Sequence, residues 1–144
     1  MEEEEKVLNI NASMTCLTEA MAFVEEQLES ESCPLKVQRQ ICVSFEELYV
    51  NVANYAYGEE EGDCTIGMKV LTREDEKKLV LMIKDHGNPF NPLEKEDPDI
   101  TLSAEERPIG GLGIYMVKQS MDDVIYEYQE GWNVITIIKK WKIS

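Results

Sequence analysis

The feature that most constrains this chain is a run of apolar residues at helical spacing: Val37, Ile41, Phe45, Leu48 and Val52. Steps of three and four return side chains to one face of an α-helix, so this series predicts a long amphipathic helix reaching about residue 57. Pro34 suits its start and Gly58 its end. A helix with a single apolar stripe must cover a second layer, and the flanking segments supply one. Leu17, Met21, Val24 and Leu28 predict another helix over residues 15–30. Strand candidates are residues 6–11, with Val7, Leu8 and Ile10, then 64–72, 78–85, 123–129 and 132–141. A charged turn (73–77) and Glu130-Gly131 join the two pairs. Gly110, Gly111 and Gly113 open a third helix running to about Met121. Between strand and helix, residues 88–108 have no period, and loops this long tend to be functional lids or disordered. The order β-α-α-β-β-lid-α-β-β predicts a single α+β domain over residues 1–144. In it, helices are segregated on one face of a mixed, mostly antiparallel sheet, a two-layer sandwich.

With 144 residues, 43% hydrophobic and 30% charged, the chain is large enough to bury a core without disulfides or metal. A net charge of -15 argues against nucleic acid or an anionic membrane surface as the main partner. No apolar stretch approaches the roughly 20 residues that span a bilayer. Residues 1–5 are acidic where a signal peptide would be basic, which leads us to expect a cytoplasmic protein. Cys16, Cys33, Cys42 and Cys64 form no C-x-x-C pair, so neither zinc nor redox chemistry is indicated, and Cys16 and Cys42 read as small core residues.

Three islands could carry chemistry. In EELYVNVANYA (residues 46–56), Glu47 and Asn51 are i and i+4, about 40° apart around a helix, whereas Glu46 is roughly 140° from Asn51. A carboxylate beside a carboxamide suits Mg²⁺ or a base next to a metal-bound phosphate. Taken alone, such a pair is more often a solvated glutamate with a hydrogen-bonding asparagine. In DHGNPFNPL (residues 85–93), Asp85 ends a buried strand and could accept a hydrogen bond from the exocyclic amine of adenine. Gly87 would let the base approach the backbone, yet an ordinary turn has the same composition. In GGLGIYMVK (residues 110–118), glycines at a helix start expose N–H groups that can hold phosphate oxygens. Arg107 is either a terminal-phosphate contact or an exposed loop arginine.

Together and in this order, the islands resemble the N, G1 and G2 boxes of the GHKL ATPases, the superfamily of histidine kinases and gyrase B. The D-x-G-x-P-F-N-P string and the segment GGLGIYMVKQSMDDV are most similar to the bacterial anti-sigma-factor serine kinases. The resemblance implies a Bergerat-type ATP-binding fold with a lid over about residues 88–109. It implies that Asn51 binds Mg²⁺, that Asp85 and Gly87 recognise adenine, and that the turn of Gly110, Gly111, Leu112 and Gly113 wraps the phosphates. Glu47 would take the proton from a substrate serine. Many relatives carry a basic or histidine side chain where this chain has Asn54 and Tyr55.

The implied activity is Mg·ATP-dependent protein-serine phosphorylation by an anti-sigma factor. Its partners would be a sigma factor and a small STAS-domain anti-anti-sigma protein, and it would form a homodimer through residues 7–28. Two other readings are a nucleotide-gated binding module without transfer and the ATPase module of a sensor kinase system. The one histidine, His86, faces away from Asp85 if the strand continues, so a phosphohistidine is not expected.

Overall fold

The computed structural model describes residues 5–57, 62–94 and 112–143. Its elements run β1 (Lys6–Asn11), α1 (Leu17–Ser30), α2 (Leu35–Tyr55), β2 (Asp63–Arg73), β3 (Glu76–Asp85), α3 (Leu112–Ser120), β4 (Asp123–Gln129) and β5 (Trp132–Lys142). The five strands form one sheet in the order β1-β2-β3-β5-β4. The expected α+β sandwich is present, and every ladder among the described residues is antiparallel, which sharpens the expectation of a mixed sheet.

Turn chemistry accounts for both hairpins. Glu130 and Gly131 have φ of 51° and 86°, the left-handed pair that matches the twist of adjacent strands. The β2–β3 turn is tighter than the expected five-residue link: only Glu74 and Asp75 lie between the strands. Lys77 belongs to β3, paired with Thr72 and Trp141, and its Nζ donates to the Glu31 carbonyl (2.9 Å) and carboxylate (3.1 Å) at the end of α1. A short 3-10 turn over Met14–Cys16 delays α1 by two residues relative to the expected start.

Burial alternates along β3: Leu79, Leu81, Ile83 and Asp85 are buried while Val80, Met82 and Lys84 are not. One sheet face therefore carries the core, as the period-two pattern requires. Against it lie Ala20, Val24 and Leu28 of α1, Ile41, Phe45, Leu48 and Val52 of α2, and Ile114 and Val117 of α3. Each large side chain so buried contributes roughly 1.5–3 kcal/mol, which anchors α2 as the central helix. Tyr49 is fully buried, and its hydroxyl donates to the carbonyls of Ser13 (2.7 Å) and Asn11 (3.1 Å). Burial pushes that hydroxyl up to about 12, so it stays a donor.

All four cysteines are free thiols, but the buried ones are Cys33 and Cys64; Cys16 and Cys42 are only partly buried. Apolar neighbours in the sequence are a poor guide here: strand alternation on β2 turns Cys64 inward, Cys33 lies in the link between α1 and α2, and Cys42 on α2 packs against the core while staying partly exposed. No helix among the described residues is long and apolar enough to cross a membrane.

Candidate functional site

The helical spacing of α2 places its polar residues as geometry requires. Glu46 is exposed, Glu47 half-buried, and Asn51 buried at 5% exposure. Asn51 Nδ2 donates to the Glu47 carbonyl one turn back at 2.8 Å, so the amide is held against its own helix. Glu47 extends toward α3. A Cβ on Gly113 would collide with Glu47 Oε1 and Cδ and lie 2.6 Å from its Cγ. The glutamate thus lies across the first turn of α3, where helix N–H groups favour negative charge.

Asp85 ends β3 at 2% exposure. Its Oδ1 accepts from the Gly87 N–H (2.8 Å) and from Asn133 Nδ2 (2.9 Å), while Oδ2 accepts from no group among the described residues. Burial pushes its carboxyl above the ordinary value, and the bonds from Asn133 and Gly87 oppose that shift. Gly87 has a constraint the sequence did not suggest. A Cβ there would collide with the Ala56 carbonyl oxygen and stand 2.6 Å from its carbon, just beyond α2. The Asn88 N–H donates to the same carbonyl at 2.8 Å, seating the loop on the helix end. Phe90 packs on Tyr55, ring centroids 5.8 Å apart. Each of the three islands therefore touches the last three turns of α2 or the residue that follows.

His86 faces the other way, as strand alternation predicts. Its Nδ1 lies 3.2 Å from Asp63 Oδ1, its ring packs on Trp132, and its N–H donates to the Tyr57 hydroxyl (2.8 Å). The His86 contact holds the Asp63 carboxyl below its usual range. Burial pushes the Tyr57 hydroxyl up to about 12.

The residue that motif reading missed is Asn133. It sits at the start of β5, paired in register with Asp85. A signal was present: positions 133, 135 and 137 share the core face of β5, and only 133 is polar. Arg107, Gly110 and Gly111 lie outside the described residues, as do lid positions 95–109; Leu112 opens α3, but its side chain is outside them too.

Among the described residues no group of three or more His, Cys, Asp or Glu could cage a metal. Glu47 and Asn51 nonetheless offer hard oxygens on one face, one helical turn apart. Mg²⁺ is commonly held by one or two protein oxygens completed by waters and substrate phosphates, so this donor pair fits it better than a fully caged ion.

A five-stranded antiparallel sheet layered with three helices, with Glu47 and Asn51 on the central helix and Asp85 at a strand end, is consistent with the fold of ATP-binding domains of the histidine-kinase type. The model of the histidine kinase-like ATPase domain matches residues 10–139, and the chain belongs to that family. It is 28% identical over 135 residues to the serine-protein kinase RsbW of Bacillus mycoides, covering 91% of this chain and 76% of that one. It is 33% identical over 98 residues to the serine-protein kinase RsbW of Listeria monocytogenes, covering 65% and 60% respectively.

Proposed function

We propose that this protein is a cytoplasmic Mg·ATP-dependent protein-serine kinase that also binds and restrains a sigma factor. Its substrate is a serine on a small STAS-domain anti-anti-sigma protein, and the two partners compete for it in a switch. The observation that carries this reading is the Glu47 carboxylate lying across the first turn of α3 at Gly113, with Asn51 one turn further along the same helix. That turn is where backbone N–H groups would meet the terminal phosphates, joined by Gly110, Gly111 and Leu112, with Arg107 as the cation beside them.

In the reaction, the serine oxygen attacks the γ-phosphorus, the bond to the β–γ bridging oxygen breaks, ADP leaves, and the serine proton passes to Glu47. Phosphoryl transfer depends on placement and charge neutralisation more than on a strong base, so a well-placed carboxylate suffices. Asn51 would hold Mg²⁺ through its amide oxygen, and the ion would neutralise charge on the phosphates. Asp85 would accept from the adenine amine through Oδ2. Gly87 serves that contact by letting the loop close on Ala56. Residues 7–28 offer a face for a homodimer, with Val7 and Met14 both about half exposed.

The test is γ-labelled Mg·ATP in lysate of the source organism, with wild type and Glu47→Ala in parallel. One small protein carrying acid-stable phosphoserine, labelled by wild type alone, is the expected result. Label on histidine would instead indicate a sensor-system ATPase. ATP binding without any label would make the protein a nucleotide-gated binding module.

A further inference from the structure

Asn133 is 2% exposed, and both ends of its amide are occupied. Its Nδ2 faces Asp85 Oδ1 (2.9 Å), the Asn88 carbonyl (3.0 Å) and the Gly87 carbonyl (3.3 Å). Its Oδ1 accepts from the Phe90 N–H (3.3 Å) and from the Tyr126 hydroxyl of β4. The Phe90 N–H also reaches that hydroxyl at 3.2 Å. Only acceptors lie on one side and only donors are needed on the other, so the amide has one workable orientation. This side chain ties the end of β3, the loop of residues 87–90 and the β4–β5 hairpin into one unit.

We propose that Asn133, backed by Tyr126, is a positioning residue for the nucleotide: it turns the Asp85 carboxylate so that Oδ2 meets the purine amine, and it sets the path of residues 87–90. The proposal deepens the ATP-site reading above and rests on it. By occupying Oδ1, Asn133 and Gly87 leave a single oxygen for the ligand. An acceptor in that place matches the 6-amino group of adenine and repels the 6-carbonyl of guanine. Asn133 thereby contributes to base selectivity without touching the base. Tyr126 acts one step further back, since its hydroxyl helps hold the amide oxygen away from Asp85. A reversed amide would set oxygen against carboxylate.

The experiment is calorimetric titration of wild type, Tyr126→Phe and Asn133→Leu with ATP and with GTP, over a range of pH. Circular dichroism melts check that each variant is folded. Tyr126→Phe should bind ATP roughly two- to tenfold more weakly, the loss expected for one hydrogen bond, with GTP little changed. Asn133→Leu should lose about ten- to a hundredfold for ATP and most of the ATP-over-GTP preference. Its acid loss of ATP affinity should also begin at higher pH, because a bond favouring the carboxylate is gone. Equal losses for both nucleotides, or a folded Tyr126→Phe with wild-type affinity and selectivity, would overturn the proposal. If Asn133→Leu does not fold, Tyr126→Phe decides alone. Wild type that binds no ATP would instead remove the nucleotide-site reading itself.

Discussion

The two ends of the site are built differently. Around Asp85, bonds from Gly87, Asn133 and Tyr126, with the Ala56 carbonyl receiving the loop, hold the chain in one arrangement before any ligand arrives. Around Gly113, the neighbour is the far end of a flexible glutamate whose carboxylate makes no hydrogen bond or ion pair among the described residues. On the proposed reading, the base end is preorganised, and Glu47 at the phosphate end is left adjustable. That division suits a phosphotransfer site, where the purine is held through the cycle while the phosphate side changes charge and partner.

The largest expected effect falls at the adjustable end. Glu47→Ala should lower phosphotransfer by about 10²–10⁴-fold in a single-turnover assay while leaving ATP affinity within a few fold, because its proposed task is in the chemical step. Lost affinity with unchanged transfer of bound ATP would reverse the contrast between the two ends.

Asp85→Asn should weaken ATP binding by roughly ten- to a hundredfold, since an amide cannot replace a buried carboxylate that accepts from several donors. The pH behaviour is a finer test. The folded-state pKa of Asp85 is raised, so the folded chain holds that proton more firmly than the unfolded one. Its contribution to stability therefore declines as pH rises from the ordinary carboxylate value through the raised one, and is constant above. ATP affinity moves oppositely: it needs the anion and should fall as pH drops through the raised pKa. Asp85→Asn should flatten both limbs in melts and titrations.

Two glycine substitutions probe the same contrast through stability. Gly87→Ala drives a methyl into the backbone of Ala56, which cannot yield without moving α2, and should cost about 1–3 kcal/mol in urea unfolding. Gly113→Ala meets first the side chain of Glu47, which can rotate aside, and should change stability by no more than about 0.5 kcal/mol. Equal costs would mean that the phosphate end is as rigid as the base end.

Much of this is legible in the order of residues. Helical periodicity marks α1 and α2 to within about two residues at each end, and separates Glu47 from Glu46 on the face shared with Asn51. Period-two alternation finds the strands and sets His86 opposite Asp85. The turn expected at Glu130-Gly131 is also present, and both residues take positive φ. The candidate site is legible as three islands but not as a surface. Motif reading presents Gly87 as a ligand contact, while the nearest obstacle to a side chain there is Ala56. Asn133 escapes the same reading because its importance lies in its neighbour, not in a motif of its own.

What the amino-acid order determined alone was most of what near neighbours govern: element type, the relative facing of residues within a helix or strand, and the Glu130-Gly131 turn. Those properties follow from periods of 3.6 and 2 and from local steric limits, which a short window of sequence contains. Strand order was decided only by tertiary packing. Placing β5 beside β3 puts Asn133 on Asp85, and laying α3 against α2 puts Gly113 under Glu47. Such contacts depend on which apolar faces bury one another best across the whole chain, and no local pattern carries that information.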